Sequence, residues 1–160
     1  MSISAPASAR QFEKRSVLPH TTIQKVWDFH AQPNAFKILT PPPIFLQVHE
    51  NHLTSLTEGD LRFTLWFGLL PVRWWARHQS GPIETSFADL MVEGPLAYWR
   101  HEHIFREVSG GIELTDRITL AHKPGLMGLL SRLIFDGLPL KILFFYRHLR
   151  TRMALRAGGQ

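Results

Sequence analysis

The chain of 160 residues contains no cysteine. Disulfides and thiolate chemistry are therefore excluded, which fits a reducing compartment, and a cytoplasmic location is expected. Acid is scarce as well: 13 Asp and Glu stand against 18 Lys and Arg, for a formal net charge of +5 and an isoelectric point of about 10.1. The shortage is most marked at the C-terminal end, where Lys141, Arg147, Arg150, Arg152 and Arg156 have no acid among them. Such an end reads as a solvated helix face whose cations suit a helix C-terminus, or as a weak contact with an anionic membrane. Nucleic-acid binding is not expected, because no interleaved aromatic-basic motif accompanies the charge. Long hydrophobic runs are missing too. The most apolar stretch, 126–146, is interrupted by Arg132, Asp136 and Lys141, which argues against a transmembrane span. Residues 1–9 lack the basic start and apolar run of a signal peptide and are expected to form a flexible tail. No nucleophile elbow, phosphate loop or dinucleotide fingerprint occurs, so no cofactor is expected.

What is present is a composition that is 44% apolar in short runs, enough for one domain over residues 10–157 with a sizeable core. Period-two patterning predicts about seven strands: 11–18, 44–49, 61–67, 72–79, 84–92, a strand around 99–105, and 112–121. Short turns such as Ser80-Gly81-Pro82 and Ser109-Gly110-Gly111 join the later ones, which implies an antiparallel meander. Between strands one and two, Thr21 and Gln24 form a capping box ahead of a helix whose inner side is Ile23, Val26, Trp27 and His30. Pro33 suits the start of a second short helix through Ala35, Phe36 and Leu39. After Lys123-Pro124-Gly125, Leu126, Leu129, Leu130, Leu133 and Ile134 recur at helical spacing. Gly137 and Pro139 predict a break, and Ile142, Phe145, Leu149 and Met153 a stripe beyond it.

The run Trp99-Arg100-His101-Glu102-His103-Ile104-Phe105 carries the chemistry. On a strand, Trp99, His101, His103 and Phe105 share one face, and the charged alternates make that face the interior one. Two histidines between two aromatics on a buried wall are not what a purely apolar core would choose. Hairpin register brings Asp89 near His101, and Asp116 near His103 or Phe105.

The chain resembles the START/polyketide-cyclase-like (SRPBCC) superfamily, in the manner of a bacterial single-domain member. The resemblance rests on Val26-Trp27-Asp28-Phe29-His30, Leu39-Thr40-Pro41-Pro42, Phe87-Ala88-Asp89, Gly94-Pro95 leading to the 99–105 strand, Thr115-Asp116-Arg117 and Phe145-Tyr146-Arg147-His148. It implies an α+β helix-grip fold: a curved seven-stranded antiparallel sheet wrapped around a long C-terminal helix, with two short helices between strands 1 and 2. It also implies a cavity for an apolar small molecule or lipid between the sheet and that helix. On this reading Phe63, Trp74, Phe87, Asp89, Trp99, His101, His103, Phe105, Asp116, Phe145 and Tyr146 would contact the ligand. His148 could be solvated. Alternatives are a cyclase- or dehydratase-like enzyme, with His101, His103 and Asp116 as catalytic candidates, and a lipid carrier docking on anionic membranes. The same residues also read as a buried, mutually satisfied polar network. Two histidines and an aspartate match a facial triad, but no HExxH-like spacing supports a metal, and none is expected.

Overall fold

The computed structural model describes residues 3–157; Met1 and Ser2 of the expected tail, and 158–160, lie outside the described residues. The elements run β1 (Arg10–Leu18), α1 (Ile23–Ala31), α2 (Ala35–Ile38), β2 (Phe45–Asn51), β3 (Gly59–Phe67), β4 (Leu70–Ser80), β5 (Ser86–Glu93), β6 (Tyr98–Val108), β7 (Gly111–Ala121), α3 (Gly125–Phe135) and α4 (Gly137–Ala157). All strand pairs are antiparallel, in the order β1-β7-β6-β5-β4-β3-β2. The meander from β2 to β7 follows from its tight turns. At the β6–β7 turn, for example, Gly110 and Gly111 take φ of 94° and 146°, which only glycine adopts at little cost. The helices α1 and α2 carry the chain from β1 to the opposite edge, so β1 pairs last, against β7. This is the helix-grip arrangement that the resemblance implied.

Three details differ from the sequence expectations. The cap of α1 is Thr22, whose Oγ1 accepts from the Lys25 amide at 3.3 Å, one residue later than the expected box. Gln24 instead donates to Asp28 Oδ1 at 2.8 Å, one turn on along the helix. The break between α3 and α4 comes at Asp136, where the backbone turns extended. The third difference concerns α4. Its buried face is Leu140, Phe144, His148 and Thr151, whereas Ile142, Phe145, Leu149 and Met153 are exposed. The inner stripe mixes two apolar and two polar residues, so hydropathy alone selects the greasier outer one. Phe144 takes the position expected of Phe145: it is fully buried and packs against Phe12 and His101. Among the described residues no helix is long and apolar enough to cross a membrane.

The inner face of the sheet has two apolar halves. One joins Leu61, Phe63, Trp74, Met91, Trp99 and Ile118 to Phe135, Leu140 and Phe144 of the helices. The other joins Leu18, Phe87, Phe105, Ile112 and Leu114 to Val26 of α1. Burying each such aromatic side chain is worth about 2–3 kcal/mol relative to exposure. Between the halves the same faces of β4 to β7 supply polar side chains.

Candidate functional site: a polar belt beside an apolar cavity

Strand register builds the belt. His78 on β4 lies opposite Asp89 on β5, Asp89 opposite His101 on β6, and His103 on β6 opposite Asp116 on β7. Because each belongs to the inward-pointing set of its strand, the side chains converge. Asp116 is the hub. Its Oδ1 accepts from His101 Nε2 at 2.7 Å, and its Oδ2 accepts from His148 Nε2 of α4 at 2.9 Å. His103 Nδ1 lies 3.0 Å from the same Oδ1, but off the hydrogen-bonding line, and has no aligned partner. On the other side of both rings, Asp89 Oδ2 is 3.2 Å from His101 Nδ1 and 3.6 Å from His103 Nε2. The two imidazoles, with centroids 3.8 Å apart, thus bridge two carboxylates.

Further groups close the belt. His148 Nδ1 meets Ser16 Oγ at 2.6 Å, tying α4 to β1. His30 of α1 donates from Nδ1 to the Val26 carbonyl at 2.8 Å and lies edge-on to His103. Phe87 stacks on His103 at 4.2 Å, and Trp27 meets Phe87 and Phe105 edge-on. His101, His103, Asp116 and His148 are all buried, while 19% of the Asp89 side chain remains exposed.

The electrostatics follow from this enclosure. Burial alone would raise the Asp116 carboxyl, but the imidazoles of His101 and His103 outweigh it and hold it well below the usual carboxylate range. Asp89 is lowered in the same way, burial being overcome by His101 and then His103. Burial pushes the His101 imidazole down, yet Asp116 and Asp89 together raise it. At His30 burial, reinforced by the neighbouring His103, outweighs the hydrogen bond to Val26 and the more distant Asp116, and pushes the imidazole down to about 3. The belt therefore holds its carboxylates charged, in hydrogen-bonding range of several imidazoles, in a nearly closed space.

Next to the belt lies a cavity of about 660 Å³. Its walls are Phe63, Val72 and Trp74 of the sheet and Met127, Leu130, Ile134 and Phe135 of α3, with Arg62, Arg73, Glu93 and Lys123 as polar members. It rests against α3, the first limb of the broken C-terminal helix; α4 takes no part in its lining. Of the residues singled out in the sequence, Phe63 and Trp74 line it. Asp89, His101, His103 and Asp116 form the belt, with Phe87 and Phe105 in the apolar half beyond. Trp99 packs behind Trp74, Phe145 is on the outer surface, and Tyr146 is half-buried beyond the lining. His148 and Ser16 were not singled out as site residues. His148 could have been found by placing it four residues after Phe144 on one helix face.

No known family profile matches the chain, and no curated protein matches it. Solved structures do. Major latex-like protein 151 of Panax ginseng is 10% identical, with 92% of this chain and 98% of that one covered at a TM-score of 0.65. The Zhui aromatase/cyclase of Streptomyces sp. R1128 is 15% identical, covering 92% and 91% at 0.59. A Thermus thermophilus protein, TTHA0849, is 14% identical, covering 95% and 99% at 0.59. At such identities these likenesses establish a shared fold, the helix-grip fold.

Proposed function

We propose that the protein binds an apolar small molecule or lipid in the cavity between β3, β4 and α3. The observation that carries this reading is the cavity itself: about 660 Å³, within the usual range for small-molecule sites, walled mainly by aromatic and aliphatic side chains. Arg62, Arg73 and Lys123 at its margin suit a ligand with an acidic or polar head. An acid-base enzyme would require substrate to reach His101 or His103, which are nearly enclosed and outside this lining, so binding is the favoured reading. The test is native mass spectrometry of freshly purified protein for a co-purifying compound, followed by titration with a fluorescent fatty acid. Ile134→Trp, which fills the cavity from α3, should weaken the probe at least tenfold with an unchanged circular dichroism spectrum. Absence of any micromolar apolar ligand, or unchanged affinity in that variant, would refute it.

A second reading, compatible with the first, has its own support. The outer faces of α3 and α4 expose Leu126, Met127, Leu129, Leu130 and Leu133, then Leu138, Ile142, Phe145, Leu149 and Met153. Lys123, Arg132, Lys141, Arg147, Arg150, Arg152 and Arg156 belong to the same segment, whose one acid, Asp136, contacts Arg10 and His122. Apolar surface with an excess of cations is complementary to an anionic bilayer. Met127 and Leu130 belong both to this surface and to the cavity wall, which would let a lipid pass between them. Flotation with phosphatidylserine vesicles should recover the protein at low salt and lose it at high salt or in Leu129→Ser/Leu133→Ser. Equal flotation with neutral vesicles would remove the electrostatic part of the argument.

A further inference from the structure

We propose that Asp89 Oδ2, His101 Nδ1 and His103 Nε2 form a binding site for one zinc-class divalent cation. The three side chains present one donor atom each, all within 4.8 Å of one another. The two separations to the carboxylate oxygen, 3.2 and 3.6 Å, bracket the spacing of about 3.3 Å between neighbouring ligands of a tetrahedral ion with bonds of about 2.0–2.1 Å. The two ring nitrogens lie within 4.8 Å of each other, and closing the shell calls for rotation of the rings toward Asp89.

The backs of the rings make the case stronger than proximity alone. A ligating histidine generally offers its other nitrogen to a carboxylate, which fixes the tautomer and raises the basicity of the ligating nitrogen. Here one carboxylate lies behind both rings, bonded to His101 and needing a small turn of the His103 ring to align with it. Asp116 Oδ1 lies 2.7 Å from His101 Nε2 and 3.0 Å from His103 Nδ1. The rings are reversed relative to each other, His101 turning Nδ1 and His103 turning Nε2 toward Asp89. A proton on the Asp116 side of each ring would leave both remaining lone pairs on the Asp89 side. Asp89 and Asp116 also supply the two negative charges that offset a divalent ion in a buried setting.

Access and geometry are consistent with an ion that retains an open position. Asp89 is the exposed member of the three, and both imidazoles are held by strand register rather than by a loop. A nitrogen-rich set without thiolate suits zinc better than calcium or magnesium, which prefer all-oxygen shells. The short spacing His101-x-His103 is the strand counterpart of the i, i+4 pair on a helix: two residues apart is what puts both rings on one face.

The experiment uses the full chain, stripped with a chelator and titrated with zinc chloride by calorimetry, with metal content counted by plasma mass spectrometry. One zinc per chain is expected. Asp89→Asn and His103→Gln should each weaken it at least tenfold, whereas His122→Gln, in a separate His–Asp pair, should leave it unchanged. Cobalt(II) should give the intense visible bands of a tetrahedral site in the wild type and not in Asp89→Asn. Zinc-edge X-ray absorption on the wild type needs no variant and should show a nitrogen/oxygen shell containing two imidazoles. No saturable uptake, uptake that survives both substitutions, or a shell with fewer than two imidazoles would overturn the assignment.

Discussion

Replacing Asp116 by Asn tests whether the belt is a structural tie between sheet and helix. Asp116 is 2% exposed and accepts two aligned charge-assisted hydrogen bonds, from His101 on β6 and His148 on α4. Asparagine has nearly the same shape but offers one acceptor and an NH2 group that faces donors. At least one of the two bonds is lost, at about 1.5–3 kcal/mol for a bond to a charged group, and the remaining imidazole loses its charged acceptor. Breaking a buried pair from one side costs about 3–5 kcal/mol in total. For a chain of this size the corresponding fall in Tm is on the order of 10 °C. Urea unfolding of chelator-treated protein measures the loss directly. Combined with His148→Gln in a double-mutant cycle, the two substitutions should show a coupling of about 1–3 kcal/mol, because both remove the same 2.9 Å bond. An Asn variant within about 1 kcal/mol of wild type, or strict additivity with His148→Gln, would refute the hub role.

Other consequences are more local. A Cβ at Gly128 would overlap the Lys123 carbonyl, so Gly128→Ala should displace the start of α3, cost about 1–3 kcal/mol by thermal unfolding and weaken apolar-probe binding. His122 bonds Ser131 Oγ at 2.7 Å and Asp136 Oδ2 at 2.9 Å, tying the end of β7 to α3 and to the helix break. His122→Ala should therefore raise hydrogen exchange in α3 while leaving that of β5 and β6 unchanged. Asp60 is lowered chiefly by its hydrogen bond from Arg77, so its contribution is present above the ordinary aspartate value of about 3.9 and lost as pH falls through the lower folded value. The pair is partly exposed, so Asp60→Asn should cost under about 1 kcal/mol at pH 7 and progressively less as the pH falls through the acid range, as read by urea unfolding across a pH series.

The sheet was readable from sequence because alternation and turn residues specify it locally. Leu61, Phe63 and the 99–105 strand point where their period-two pattern places them, and register then brings Asp89 to His101 and Asp116 to His103. The α4 face was not readable in the same way. Its inner stripe is chosen by what it meets: Phe144 fills the space over His101, and His148 reaches a carboxylate on β7 that is distant in sequence. A periodicity argument weighs hydropathy and so preferred Phe145 and Leu149, which are outside. The cavity walls on α3 escaped notice for a related reason. Met127, Leu130 and Ile134 look like ordinary core residues until the break at Asp136 is seen to hold α3 away from the middle of the sheet.

That break also explains why cavity and belt occupy different places. A continuous helix along the sheet would press one stripe against both apolar halves and against the polar residues between them. With the chain turned at Asp136, which is held by Arg10 and His122, each limb meets a different surface. The limb α4 contributes Leu140 and Phe144 to one apolar half and His148 to the belt, sealing the middle of the grip. The limb α3 stands over the β3–β4 end, where Phe135 fits between Phe67 and Trp74 and the remaining space stays open. Polar specificity and apolar volume, which the sequence placed in one pocket, are thereby divided between two helices. A ligand in the open end would lie against Trp74, which packs edge-to-face on Trp99 at 5.6 Å and shares an apolar cluster with Phe144, the ring that covers His101.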